Sequence, residues 1–298
     1  MERSARAGSG IRVDPVGWVL ALLYVFLWAS AFVPSKILSV EGQPLWMLVI
    51  RFFLAGAAVA AVAAASRRRF PATAAGWIEL ALLGTLANAV YLGLSYLSLE
   101  HLSSGMGAII ASTNPLILAL VAPRLLGEPL TVRKGLGLAL GFGGVVALMI
   151  VRAGSSTARP QDVGLAVLGV VAFVFSTILF KRIQSRHDLV VATAVQLTAA
   201  AIVLLPCAYG FEGAFRAVVT PELVGSMAYL VVIISVGASL IWFHLLTHGE
   251  ASRVSAFYFL TPVFGLALGA LMLGEHVAPR DLFGLLSIAA GISLVQRS

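Results

Sequence analysis

Charge is scarce in this chain. Of 298 residues only 11% are Asp, Glu, Lys or Arg, against about 25% in a soluble domain, and there is a single cysteine, Cys207. One thiol excludes an intrachain disulfide and a thiolate metal site. Glu79, Glu100, Glu128 and Glu275 lie at or near the ends of apolar runs, so no carboxylate falls at mid-depth. A buried carboxylate is the usual means of proton coupling and of binding organic cations, so neither is supported. Chemistry-bearing motifs are also missing. Gly135, Gly137, Gly141, Gly143 and Gly144 sit inside an apolar run without the strand or the Lys-Ser/Thr of a phosphate loop. They read as close helix packing, as do Gly265 and Gly269 in GxxxG spacing. His244 and His248 have no third ligand. No catalytic residue, metal or cofactor is expected.

What the chain has in excess is apolar surface: 60% hydrophobic residues and a mean hydropathy of +0.99. Ten apolar runs occupy approximately residues 17 to 38, 44 to 65, 75 to 98, 102 to 124, 133 to 151, 163 to 180, 189 to 208, 224 to 247, 252 to 273 and 280 to 296. Each is near the length at which a helix crosses a hydrocarbon core of about 30 Å. Backbone groups in lipid must be satisfied within the segment, and the alternating pattern of a barrel is missing. The fold class expected is an all-α membrane protein of ten transmembrane helices. Ala29-Ser30-Ala31 resembles a signal-peptidase site, but the run continues to Leu38 and is needed to make two equal halves, so it is read as retained.

Lys and Arg counts set the orientation. With the N-terminus inside, 14 of the 20 basic residues fall in cytoplasmic segments and 4 in outer ones, with Lys36 and Arg51 inside runs. Both termini are therefore expected in the cytoplasm. The net charge of +7 reads as topology and attraction to anionic lipid heads, with no nucleic-acid partner.

The chain also repeats itself. PLILALVAPRLLGE, from Pro115 to Glu128, returns in frame as PVFGLALGALMLGE, from Pro262 to Glu275, at an offset of 147. The same offset pairs His101 with His248, Asn88 with Ser235, Arg133 with Arg280, Gly137 with Gly284 and Gly144 with Gly291. Earlier runs pair at 145, Lys36 with Lys181 and Arg51 with Gln196. Two halves of five runs follow, residues 17–152 and 153–298 after a cytoplasmic tail of residues 1–16. Five is odd, so the second half enters the membrane upside down. That is the inverted repeat of alternating-access carriers, whose substrate sits near the midplane.

These residues resemble a known family. Trp28 through Lys36, Pro44 through Arg51, and Asn114-Pro115-Leu116 leading to Gly127-Glu128 are similar to the EamA-domain branch of the drug/metabolite transporter superfamily, with Thr261-Pro262 and Gly274-Glu275 as the weaker second copy. The resemblance spans essentially the whole chain. It implies two EamA repeats, a bacterial-type inner membrane and export of small metabolites, often amino acids. In size and layout the chain is also similar to YddG-type aromatic amino-acid exporters, without a motif that distinguishes them.

Polar and aromatic residues at mid-depth are costly against lipid and face the bundle interior or a wet cavity. On that ground the candidate substrate-binding residues are Trp28, Ser30, Asn88, Tyr91, Ser112 and Asn114, with Phe173, Ser176, Ser239, Trp242, Tyr258 and Thr261 in the second half. Pro115 and Pro262 lack an N–H and are expected to perturb their helices at the midplane, freeing the carbonyls of Ala111 and Tyr258. The blander second, fifth, seventh and tenth runs read as outer scaffold. Lys36 and Lys181 are expected to snorkel to the interface, and Arg51 to brace carbonyls at helix ends or to bind a substrate carboxylate. The partners expected are a small-molecule substrate, most readily a hydrophobic or aromatic amino acid, and membrane lipids. Transport is expected to be facilitated, by a monomer or weak oligomer. The alternatives are export of other small metabolites or cationic drugs and, from another class, a polytopic membrane enzyme.

Overall fold

A computed structural model describes residues 15–102, 104–150, 159–216, 218–273 and 281–297, and every regular element among them is helical. In chain order these are α1 (Pro15–Ser30), α2 (Phe32–Glu41), α3 (Pro44–Ala65), α4 (Ala74–Gly84), α5 (Tyr91–Leu99), α6 (Ser104–Ala111), α7 (Asn114–Leu125) and α8 (Val132–Ile150). There follow α9 (Pro160–Ile183), α10 (Leu189–Glu212), α11 (Pro221–Tyr229), α12 (Ser239–His248), α13 (Ala251–Ala256), α14 (Thr261–Leu273) and α15 (Asp281–Gln296). Gly274, Glu275 and Arg280 of the repeated frame, and the basic residues Arg3, Arg6 and Arg12, lie outside the described residues.

Among the described residues six helical paths are long and apolar enough to cross a membrane: Val16–Glu41, Pro44–Ala65, Ala74–Leu99, Pro160–Arg186, Leu189–Glu212 and Pro221–His248. At about 1.5 Å per residue the shortest, 22 residues, spans about 33 Å. Asn114–Leu125 and Phe283–Gln296 are shorter apolar helices. Phe53, Leu168, Ile202 and Phe283 are each more than 60% exposed, the outward apolar surface that a soluble monomer avoids and a lipid-embedded one presents.

Helix starts follow local chemistry. Pro44, Pro160 and Pro221 open their helices, where the missing N–H would have had no partner anyway. The Thr73 hydroxyl accepts from the Gly76 N–H at 3.3 Å, and Thr220, 147 residues on, accepts from Leu223 N–H at 3.1 Å. Asp188 caps α10 through Val190 and Val191 N–H. The ends of α10 tie to α3, which it flanks closely: Glu212 accepts from Leu45 and Trp46 N–H, and Arg68 pairs with Asp188 at 2.9 Å.

The second extensive pair is α8 with α15, and here glycine is required. A Cβ on Gly137 would meet the Gly291 carbonyl oxygen at 2.7 Å, and one on Gly144 would meet the Gly284 carbonyl oxygen at 2.7 Å. These contacts are reciprocal under the 147-residue shift, because Gly137 meets the counterpart of Gly144 and Gly144 the counterpart of Gly137. The helices run antiparallel about a local two-fold relation. Tight packing does not extend to Gly135, Gly143 and Gly265, where an added Cβ would touch nothing within 4 Å; the close-packing reading of those three is corrected.

Five apolar paths among the described residues are not uninterrupted α-helix. The first breaks at Ala31; α6 and α7 part at Ser112-Thr113; α13 and α14 are joined by a 3₁₀ turn over Phe257–Leu260; α4 and α5 are joined by π-helix over Thr85–Val90, and α11 and α12 by π-helix over Leu230–Ala238. The two π segments occupy corresponding positions in the two halves. Such turns recur at functional sites because the widened turn redirects side chains.

Candidate functional site

Six rings converge at the centre of the bundle. Trp28 and Phe173, counterparts at the 145 offset, stack at 6.2 Å with 14° between planes. Phe173 also stacks on Tyr91 at 4.7 Å and on Trp242 at 5.7 Å, and Tyr24 stacks between Trp28 and Trp242. Tyr258 stands edge-on to Tyr24, Trp28, Phe173 and Trp242, its hydroxyl hydrogen-bonded to that of Tyr24. Offset and edge-on pairs align the positive ring edge with the negative face. Five of these rings are the aromatic candidates named from the sequence. Tyr24 is an addition, legible in its i, i+4 spacing from Trp28, which places both on one helix face.

A narrow cavity of about 40 Å³ lies beside the rings, lined among others by Trp28, Arg51, Asn88, Phe173, Gln196, Ser235, Ser239 and Trp242. A second, of about 50 Å³, shares Trp28 and Arg51 and extends along Ser35, Tyr91, Ser95, Tyr96 and Ser98. Four polar side chains of the first cavity form two repeat-related pairs, Arg51 with Gln196 and Asn88 with Ser235. Asn88 and Ser235 each sit on a π segment. Arg51 Nε donates to Ser235 Oγ at 2.8 Å and an η-nitrogen to Tyr96 OH at 2.9 Å, while Tyr96 OH reaches Ser35 Oγ at 3.1 Å.

The remaining candidates stand elsewhere. Ser30 bonds the Leu27 carbonyl at 2.7 Å and Tyr229 OH at 2.5 Å; Ser176 is buried against its own helix, donating to the Phe173 carbonyl at 2.7 Å. Neither lines the two cavities, nor do Ser112, Asn114, Tyr258 and Thr261. Asn114 and Thr261, repeat counterparts, are fully buried, and Asn114 Oδ1 and Thr261 Oγ1 have no hydrogen-bond partner among the described residues. Pro115 and Pro262 each stand second in α7 and α14, so each sits in a first turn after a break rather than inside a continuous helix. The Tyr258 carbonyl is not free: Thr261 N–H and, at 3.4 Å, Ser112 Oγ both reach it.

One further expectation is corrected. The second and seventh runs are not scaffold alone, since α3 supplies Arg51 and α10 supplies Gln196. Lys36 and Lys181 both find partners at helix ends. Lys36 Nζ donates to the carbonyls of Leu99, Glu100 and Leu102, and Lys181 Nζ to those of Leu246 and Gly249, each at 2.9 Å for Lys181. Leu246 and Gly249 are the 147-shifted counterparts of Leu99 and Leu102. Each lysine thus caps the C-terminal carbonyls of a helix in its own half, where the helix dipole favours a cation.

The family model described as EamA-like transporter family matches residues 15–150 and again residues 162–297. The chain belongs to the EamA-like transporter family. It is a multi-pass membrane transporter, and the cavity is lined from both EamA copies: Trp28, Arg51 and Asn88 from the first, Phe173, Gln196, Ser235 and Trp242 from the second. Curated relatives agree. An uncharacterized transporter, YvbV, of Bacillus subtilis is 28% identical over 93% of this chain and 90% of its own. The WAT1-related chloroplastic protein of Arabidopsis thaliana is 24% identical over 98% and 72%, and the inner membrane transporter YedA of Escherichia coli 25% over 94% and 90%. The family and these names indicate a transporter rather than an enzyme. A solved crystal structure superposes with a TM-score of 0.74 over 93% of this chain and 94% of its own at 18% identity, a likeness of fold.

Proposed function

We propose that this EamA protein exports small amphipathic metabolites, hydrophobic and aromatic amino acids first among them, by alternating access between two inverted halves. The reading takes the described helices as ten membrane spans, five per half, with both termini in the cytoplasm of a bacterial-type inner membrane. The observation that carries it is the central cavity: rings and repeat-paired polar groups from both copies meet at the bundle centre, where a mostly apolar pocket with a few placed polar groups suits an amphipathic solute. The reciprocal Gly137–Gly291 and Gly144–Gly284 contacts support the inverted relation of the halves.

Among the described residues no carboxylate lines either cavity, which supports flux down the solute gradient rather than proton coupling. The positive charge of Arg51 disfavours the alternative of cationic drugs. The test is counterflow in proteoliposomes with a panel of labelled amino acids and cationic dyes. Exchange of hydrophobic amino acids, insensitive to an imposed pH gradient, is the expected result. A rate that tracks the pH gradient refutes the facilitated mechanism, and exchange of dyes alone refutes the substrate class.

A further inference from the structure

We infer that Arg51 is the anion-binding group of the central cavity, and that the solute it takes carries a carboxylate on an apolar or aromatic body. This rests on the transport reading above. Arg51 is 3% exposed, seven residues into α3 and so about 10 Å from its start. Among the described residues no carboxylate pairs with it; its two hydrogen-bond partners, Ser235 Oγ and Tyr96 OH, are neutral. A guanidinium has five N–H donors, and these bonds occupy two. It is also the sole formal charge among the described residues lining the two cavities, and it lines both.

Burying a cation without a counter-ion costs far more than neutral hydrogen bonds return. A carboxylate entering the cavity supplies the missing charge, and the planar fork of arginine matches it bidentately. The repeat sharpens the case. At the related position in the second copy stands the neutral Gln196, buried, with Oε1 bonded to no donor among the described residues. Trp28 Nε1 likewise has no acceptor among the described residues. The cavity therefore holds a cation and a free N–H in the first half and a free acceptor in the second. A near-symmetric frame is polarised at one pair of positions, which orients a solute bearing an anion and an N–H donor beside its apolar body. An α-amino acid has that chemistry.

The test compares leucine, phenylalanine and tryptophan with their amides, which keep the body and lose the anion. Two readouts are made on the full chain: competition for counterflow in proteoliposomes, and ligand-induced thermal stabilisation in detergent. In the unsubstituted protein the acids are expected to act at roughly tenfold or more lower concentration than the amides. Arg51→Gln is expected to remove that preference while leaving amide exchange in place, and Arg51→Lys to restore part of it. Equal potency of acid and amide in the unsubstituted protein overturns the assignment, whether or not the variants fold. Equal loss of both in Arg51→Gln overturns it too, as the mark of a brace for Ser235 and Tyr96. Acid-selective, Arg51-dependent stabilisation without counterflow overturns the transport reading and keeps the anion site. Counterflow indifferent to the anion does the reverse.

Discussion

An alanine at Gly291 places its Cβ 2.5 Å from the Gly141 nitrogen, 2.6 Å from the Gly137 carbonyl oxygen and 2.7 Å from Gly141 Cα. All three neighbours are backbone, so no side chain can rotate aside. Contact at about 3.4 Å or more requires α15 and α8 to part by roughly 1 Å, and a gap of that size forfeits a quarter to a half of the dispersion attraction along the pair. Overpacking of this kind costs about 1–3 kcal/mol, offset by up to about 1 kcal/mol because alanine is the better helix former. Gly143, in α8, is the control, since a Cβ there meets nothing within 4 Å and only the propensity gain applies. The two variants should differ by about 2 kcal/mol, roughly 4–8 °C in unfolding midpoint. The assay is thermal unfolding of purified protein in detergent, followed by tryptophan fluorescence. A Gly291→Ala midpoint equal to or above that of Gly143→Ala refutes the close approach of the two helices.

In a Cys207→Ala background, Ala72→Cys and Val219→Cys, exposed repeat counterparts, should react with a membrane-impermeant thiol reagent from opposite faces of the membrane; labelling from one face refutes the inversion. Trp28→Ala should abolish counterflow while folded yield is kept, and unchanged exchange removes that ring from the site. Lys36→Met and Lys181→Met should each destabilise the fold by a similar amount, about 1.5–3 kcal/mol for the charged hydrogen bonds lost, read as a lower unfolding midpoint. An unchanged midpoint in both shows that water replaces the caps. Tyr258→Phe, which loses only the bond to Tyr24, should cost about 1 kcal/mol, read in the same melts.

The central rings were legible as types at a depth. Trp28, Tyr91, Phe173, Trp242 and Tyr258 sit several residues inside apolar runs, where lipid has no use for them, and the structure brings them together. Ser112, Asn114, Ser176 and Thr261 obey the same rule of polarity at depth but stand outside the cavities, and Ser112 and Ser176 spend their hydroxyls on carbonyls three or four residues back. A sequence does not say whether a buried hydroxyl turns inward or back onto its own helix. Arg51 and Gln196 were visible as a repeat pair, yet the blandness of their runs hid that α3 and α10 both touch the cavity. The π segments carrying Asn88 and Ser235 leave no pattern in composition.

The sequence by itself determined the solvent, the helical class and the two-fold repetition, because apolar run length, scarcity of charge and residue offsets are properties of the chain read one-dimensionally. Only the tertiary structure decided that Lys36 and Lys181 cap helices, that Gly137 and Gly144 are needed where Gly135 and Gly143 are not, and that one arginine faces two cavities. Those depend on which face of each helix turns toward its neighbour. A shift of one residue rotates a side chain by about 100°, and packing, not composition, selects that angle.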